Sequence, residues 1–357
     1  MRALVTGGAG FIGGHLSQRL LTTGHEVTCV DDLSTGSLAN VAHLAGHPRF
    51  TLVEGSVLDQ ALMDSLVARS DTIFHLAAAV GVELIMSRSL DGLRTNIHGT
   101  EVVLDCALRH GARTLVASTS EVYGKSPDAA LREDQDRTVG SPLTRRWSYA
   151  EAKALDETLA HLFWSDHALP TVIARFFNVA GPRQTGRYGM VIPRFVDQAQ
   201  RDQPLTVYGD GQQTRSFCHV RDAVEGIIAL IEHQPAYGSV FNIGRPEEVS
   251  IKRLAERVIE LTDSRSTIRH LSYQEAYGDG YEDTMRRVPD ISRAREVIGF
   301  EPRLGLDDII RSVIEDRSPQ RDLVAAVAAR PAGSAERARP AGAPAVAPSA
   351  AGSKHGD

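Results

Sequence analysis

The sequence predicts an α/β protein: a doubly wound parallel sheet followed by a smaller α/β lobe. Three observations carry this. Short apolar runs alternate with helix-patterned stretches, a glycine-rich turn joins the first strand to the first helix, and the second strand ends in Asp31. RALVT, EVTCV, FTLVE, TIFHL, RTLVAS and TVIARF are dense in Val, Ile, Leu and Phe, as strands covered on both faces are. Between them FIGGHLSQRLLTTG, DQALMDSLVARS, TNIHGTEVVLDCALRHGA and SYAEAKALDETLAHLFWSDHAL repeat apolar residues at helical spacing. Strand–helix–strand repetition winds a parallel sheet, and ligands gather at the carboxyl ends of its strands.

After about residue 178 the pattern loosens. GPRQTGRYGMVIPRF is loop-like and basic; FVDQAQRDQ, VRDAVEGIIALIEH, IKRLAERVIELT and ISRAREVI read as helices, LTVYG and SVFNIG as short strands. The expected organisation is a nucleotide-binding domain over 1–177 with return segments near 216–245. A substrate lobe follows over 178–317, then an Ala/Pro-rich tail over 318–357 that lacks the apolar periodicity to order itself.

Bulk properties exclude several classes. With 42% hydrophobic and 24% charged residues the chain is of ordinary globular composition. A formal charge of −6 offers no footprint for nucleic acid. Cys29, Cys106 and Cys218 are odd in number and far apart, which suits neither a disulfide framework nor zinc and fits a reducing cytoplasm. The longest apolar run, near IFHLAAAVGVELIM, carries His75 and Glu83 and is too short to span a bilayer. The start enters a strand at once, without the pattern of a signal peptide. The thirteen histidines show no spacing that pairs with acids as metal ligands, so no metal is expected.

TGGAGFIGG (6–14) sets Gly7, Gly10 and Gly13 at the strand-to-helix turn, where a backbone without Cβ atoms can approach a pyrophosphate at the helix N-terminus. Asp31 lies 21 residues beyond Gly10 and can accept both ribose hydroxyls. A carboxylate there repels a 2′-phosphate, so NAD is expected rather than NADP. This is the Rossmann arrangement.

A reactive pair follows. In WSYAEAKALDE, Tyr149 and Lys153 stand four apart, on one helix face. A phenol of pKa near ~10 is a poor base at neutral pH; a nearby ammonium and a nicotinamide charge would lower it. Such a tyrosinate takes a proton from a sugar hydroxyl while hydride leaves the same carbon. Thr119, in the ASTSEVYG strand end (117–124), can hydrogen-bond the same oxygen.

TGGAGFIGG, Asp31, HLAA (75–78), STSEVYG, Tyr149-x-x-x-Lys153 and FFNVAGPR resemble, in order, the extended short-chain dehydrogenase/reductase family acting on nucleotide sugars. The resemblance runs to about residue 316 and takes in LTVYGDGQQTRSF and RRVPDISRA. It implies a tightly held NAD recycled within each turnover, and Thr119, Tyr149 and Lys153 as the catalytic triad. It also implies a homodimer through helices near 90–110 and 147–168. The cofactor set it implies adds Phe11, Ile12, Asp32, Thr35, Gly36, Ser56, Val57, Leu76, Ala77, Ala78 and Asn96. The chain departs at Gly55-Ser56, where the family carries Gly-Asp with the acid on adenine.

For the substrate, the resemblance puts Arg215 and Arg287 on a diphosphate beside Asn178, and Asp290 on the nucleotide ribose; Arg286 is a further candidate. LTVYG, with Val207 and Tyr208, matches the segment laid along uracil, which favours UDP; Val191 joins the substrate set. His219 is expected to be structural. Arg183, Arg187 and Arg194 neighbour the expected sugar pocket, and Arg187 is the residue expected to read a charged group on C6.

Family members oxidise C4 and then diverge. Ser120 stands where a dehydratase needs a carboxylic acid, which argues against dehydration. Thr119-Ser120-Glu121 and Arg287-x-Pro fit a decarboxylase; Pro193, in place of a serine, and the texture of RYGMVIPRF and YEDTMRRVPD fit an epimerase. The sequence therefore leads to an NAD-dependent C4 epimerase of a UDP-hexose, UDP-glucuronate first, with UDP-glucuronate decarboxylase as the alternative. A non-catalytic NAD sensor on the same fold would lose Tyr149 or Lys153, and both stand.

Overall fold

The computed structural model describes residues 1–81, 89–186, 189–277 and 284–317. Arg187 and the expected tail over 318–357 lie outside the described residues. The chain runs β1 (Arg2–Thr6), α1 (Phe11–Thr22), β2 (Glu26–Asp31), β3 (Phe50–Glu54), α2 (Gln60–Val67), β4 (Thr72–His75), α3 (Ser89–His110), β5 (Arg113–Thr119), α4 (Ser148–His167) and β6 (Thr171–Phe176). It continues through β7 (Val179–Ala180), α5 (Val191–Ala199), β8 (Leu205–Tyr208), β9 (Thr214–Ser216), β10 (Cys218–His219), α6 (Val220–Glu232) and β11 (Val240–Ile243). Last come β12 (Glu248–Ser250), α7 (Ile251–Thr262), β13 (Ile268–Leu271), α8 (Tyr273–Tyr277), α9 (Ser292–Ile298) and α10 (Leu306–Asp316).

The seven strands β11-β6-β5-β4-β1-β2-β3 form one sheet, parallel throughout. The chain winds outward through β1, β2 and β3, then returns to place β4 on the other side of β1. The order reverses there, so the crevice beyond β1 and β4 is the place for a ligand. Both faces are covered, which is why the strands read as unbroken apolar runs. On one side Leu16 and Leu20 of α1 and Ile227 and Leu230 of α6 meet Val5, Phe74 and Leu115. On the other, Met63, Val103, Ala107 and Ala160 meet Leu4, Ile73 and Val116. α2 is capped by Asp59, which accepts the Leu62 N–H at 3.0 Å, and α7 by Ser250, which accepts the Arg253 N–H at 3.1 Å.

Three strand pairs of two strands each, β10-β7, β12-β9 and β13-β8, carry the smaller lobe. α5, α7 and α10 close around a core that includes Phe195, Leu205, Val207, Leu254, Val258 and Ile310. β11 and α6, although later in the chain, belong with the large sheet.

A buried knot ties α4 to the sheet. Glu157 takes a bidentate pair from Arg175 of β6, at 2.8 and 2.7 Å, and a hydrogen bond from the Ser118 hydroxyl of β5. Arg175 in turn lies over the Tyr123 ring at 4.7 Å, and the Tyr123 hydroxyl donates to Asn242 of β11 at 2.7 Å. Glu157→Ala leaves a buried guanidinium without its carboxylate; denaturant unfolding is expected to show a loss of about 3–5 kcal/mol.

Candidate active site

The strand ends around the switch point form the floor of the site. Gly7 turns with φ +66°, and its N–H donates to Val30 O at 2.9 Å. A Cβ at Gly7 would stand 2.8 Å from Ala77 N, and one at Gly13 2.2 Å from Gly7 O, so the turn closes only with glycine there. α1 opens after Gly10 without a side-chain cap and without an acid in its first turn. Its first N–H groups, beside Phe11 and Ile12, are thus served by no side-chain cap and suit an anionic diphosphate.

Asp31 closes β2 and is 8% exposed. Its Oδ2 accepts from Ala9 N and its Oδ1 from Leu33 N, both at 2.9 Å. Burial pushes its carboxyl above the usual range, against those backbone bonds. Gly36 passes so close that a Cβ would meet Oδ1 at 2.6 Å. The carboxylate therefore fastens the glycine turn to the loop after β2. Asp32, exposed, closes its own turn by accepting from Ser34, and Thr35 is exposed beside it.

The other cofactor candidates line the neighbouring strand ends. Ser56 is half-buried and accepts from Leu58 N at 3.3 Å, while Val57 is buried where Gly99 of α3 comes close. Leu76, Ala77 and Ala78 follow β4 and are partly exposed. Asn96 holds this loop from α3: its Oδ1 accepts from Ala79 N at 2.8 Å and its Nδ2 donates to Ala79 O at 3.4 Å. The glycine cradle, the uncapped helix and Asp31 fit an NAD.

Thr119 ends β5, and its hydroxyl accepts the Glu121 N–H at 3.2 Å, opening the tight turn over 120–123. The Tyr149 phenol, 9% exposed, hydrogen-bonds Thr119. Burial pushes the phenol well above its ordinary value, with Glu121 and Asp156 adding to the rise and Thr119 opposing it. Lys153 Nζ, one turn on, donates to Asp156 Oδ2 at 2.7 Å in an ion pair sealed from solvent. Ser120 is buried, at 3% exposure, beside them. Thr119, Ser120, Glu121, Tyr149 and Lys153 are thus brought to one place.

Glu121 has an environment the sequence did not announce. Its Oε1 takes Arg287 Nη1 at 2.6 Å and its Oε2 meets Arg146 Nη2 at 2.5 Å. Burial raises its carboxyl, but the two guanidiniums outweigh it and hold it at about 2. Arg146 stands three residues before Tyr149, 2% exposed and against the Trp147 ring. A second arginine in the RRW triplet directly ahead of α4 was the signal available for it.

Asn178, at φ +36°, donates from Nδ2 to Ser216 O at 2.8 Å, and Thr214 N donates to Met285 O at 2.9 Å. Asn178, Arg215 and the 285–287 segment are therefore neighbours. Arg215 donates to Thr214 O at 2.7 Å. Arg287, expected on a diphosphate, has Nη1 on Glu121, at the reacting end of the site. Arg286 is exposed and paired with Glu248 at 2.9 Å. Arg183 ties the lobe to α1 and the loop after β2 through His15, Gln18 and Asn40. Arg194 lies over the Tyr208 ring at 4.4 Å and donates to its hydroxyl. Val207 is fully buried in the lobe core, and Val191, partly buried, packs against that core. Asp290 accepts from Ser292 N at 2.8 Å, which holds its carboxyl below the usual range. His219 caps α6, accepting from Arg221 N at 3.0 Å, and burial lowers it to about 4, a structural part. No group of acids, histidines and cysteines able to hold a metal occurs among the described residues, nor a helix long and apolar enough to cross a membrane.

The Glu121 clamp ties stability to pH. Its carboxyl titrates near 2 in the fold and near ~4.3 in an unfolded chain, so the clamp contributes fully above about pH 4.5 and less as pH falls through that window. Wild type is expected to lose stability more steeply than Glu121→Gln between about pH 4.5 and 2, read by thermal unfolding in acid buffers.

A family model described as NAD dependent epimerase/dehydratase family matches residues 3–244. The chain is similar to the UDP-N-acetyl-alpha-D-glucosaminuronate decarboxylase of Bacillus cytotoxicus, 41% identical over 88% of this chain and 97% of that one. It is also similar to UDP-glucuronic acid decarboxylase 1 of Arabidopsis thaliana, 38% identical over 88% and 69%. Among solved structures it resembles a UDP-glucuronic acid 4-epimerase from Bacillus cereus in complex with UDP-glucuronic acid and NAD. That match has TM-score 0.80 and 30% identity over 88% and 98% of the two chains. The resemblance to extended short-chain dehydrogenase/reductases thus holds in sequence and in fold, and the chain belongs to the NAD dependent epimerase/dehydratase family.

Proposed function

We propose that the protein is a UDP-uronate decarboxylase, with UDP-glucuronate or its 2-acetamido analogue as substrate. The observation that carries this is Glu121 clamped between Arg146 and Arg287 beside Tyr149. The chain is an NAD-dependent enzyme of nucleotide-sugar chemistry, and the finer reading departs from the epimerase that the sequence favoured. The curated relatives at 37–41% identity carry decarboxylase names, and Pro193 is simply buried in the first turn of α5.

NAD, when bound, supplies the hydride acceptor at C4 and returns the hydride at the end. The residues do the rest. Tyr149, hydrogen-bonded to Thr119, would take the O4 proton as a phenolate, which needs the positive nicotinamide of bound NAD and Lys153 to outweigh the burial that raises the phenol. The reprotonated phenol and Thr119 would then donate to O4 as charge develops there. With a carboxylate on C5 and a ketone at C4 the sugar is a β-keto acid. The C5–C6 bond pair flows toward O4 as carbon dioxide leaves, and a proton then adds to C5.

Glu121 remains a carboxylate throughout the working range, so it cannot act as the proton donor that a dehydration needs. What it does is orient two guanidiniums. The three side chains together carry a net charge of +1, which complements the single negative charge of a uronate and has no partner in a neutral hexose. Residues 1–177 with the return near 216–245 would hold NAD, and 178–317 the nucleotide sugar through Asn178, Arg215 and Asp290. Arg187 would read C6 together with Arg287. Leu155 and Leu162, seven apart on α4 and 42% and 45% exposed, fit a homodimer face.

A C4 epimerase acting on the same sugar remains the second reading, favoured by Thr119, Tyr149 and Lys153, which suffice for inversion. Purified protein incubated with NAD and UDP-glucuronate, or with its 2-acetamido analogue, separates them by NMR and mass. Decarboxylation gives the UDP-pentose with carbon dioxide; UDP-galacturonate would mean epimerisation. Glu121→Gln is expected to lower pentose formation by at least ~10²-fold with NAD still bound.

A further inference from the structure

Asp156 stands three residues after Lys153 and is completely buried, and its Oδ2 takes Lys153 Nζ at 2.7 Å. An unpaired carboxylate in such a place would cost several kcal/mol or take up a proton. Here Lys153 matches it; burial raises its carboxyl, opposed first by Lys153 and then by the nearby Thr100 hydroxyl of α3. The same hydroxyl meets His75 Nε2 of β4 at 3.0 Å, and His75 Nδ1 meets the Thr6 hydroxyl of β1 at 2.9 Å. Thr6 accepts from Ala77 N at 3.1 Å, in the loop against Gly7.

One arrangement of protons satisfies this line: Thr6 accepts from Ala77 and donates to His75 Nδ1, and His75 donates from Nε2 to Thr100. His75 must be neutral for this, and burial, with Lys153 nearby, lowers it to about 3. The chain of bonds runs from the loop against Gly7 to Thr100 of α3, near the Lys153–Asp156 pair.

We propose that Asp156 is a positioning residue of the C4 chemistry: it fixes Lys153 through a sealed ion pair and absorbs much of its charge, so that Tyr149 surrenders its proton at higher pH than beside a free ammonium. The proposal rests on the reading of Tyr149 as the group that exchanges the O4 proton. The other groups facing the pair are Glu121, held by Arg146 and Arg287, Glu157 on α4, held by Arg175, and His75 of β4.

The test is the titration of Tyr149 in the NAD-bound protein, followed by ring-carbon NMR of 13C-labelled tyrosine and assigned with Tyr149→Phe. In Asp156→Asn the Tyr149 midpoint is expected to fall by about one pH unit, and the acid limb of kcat/KM to move with it. Asp156→Glu, which restores the charge, is expected to return both toward wild type. If Asp156→Asn does not fold, Asp156→Ser removes the same charge and is expected to move the midpoint in the same direction. A midpoint unchanged in these variants, with only a loss of thermal stability, would overturn the proposal. Full turnover in Tyr149→Phe would instead sink the reading of the site, whatever Asp156 does.

Discussion

The ion pairs from Glu121 to Arg146 and Arg287 lie at the end of β5, largely shielded from water, and much of the site is arranged around that fact. A carboxylate in such a place must be matched or protonated. Arg146 reaches it from the turn ahead of α4, the helix that also carries Tyr149 and Lys153. Arg287 reaches it from the smaller lobe, beside β9. One acidic side chain thus fixes where the reactive helix begins and where the second lobe meets the sheet. It also leaves these three side chains with one net positive charge, the property on which the proposed recognition of a uronate turns.

The same economy governs the Tyr149 side. Three charged pairs, Glu121 with its arginines, Lys153 with Asp156 and Arg175 with Glu157, crowd the start of α4 and the ends of β5 and β6. Each is held in a low-dielectric surrounding where a misplaced charge is expensive and a placed one acts strongly. The sheet supplies the frame: reversal of strand order at β1 and β4 opens the crevice, and Gly7 lets the β4 loop close against it.

Much of this was legible in the sequence, for definable reasons. The strands of the large sheet are unbroken apolar runs because both faces are covered, and the glycine turn with Asp31 follows from backbone geometry. The pairs β10-β7 and β12-β9 escaped, since strands of two or three residues carry no readable period. The α10 helix in LDDIIRSVIED has clear helical spacing and was readable, though it was not among the expected elements. At the site, Thr119, Tyr149 and Lys153 were found by motif, but Arg146 and Asp156 were not. Charged residues near a motif look like solvated surface until tertiary packing buries them. Period-two alternation in β8 buries Val207, expected along a uracil, in the lobe core and leaves Tyr208 half-buried.

The central claim is that the clamp serves loss of a carboxyl group from C5. Turnover of UDP-glucuronate in D2O tests it at that carbon. The account predicts a five-carbon sugar with one solvent deuteron at C5, because a proton from water replaces the departing carbon dioxide. A six-carbon product inverted at C4, with its original hydrogen still on C5, would contradict it.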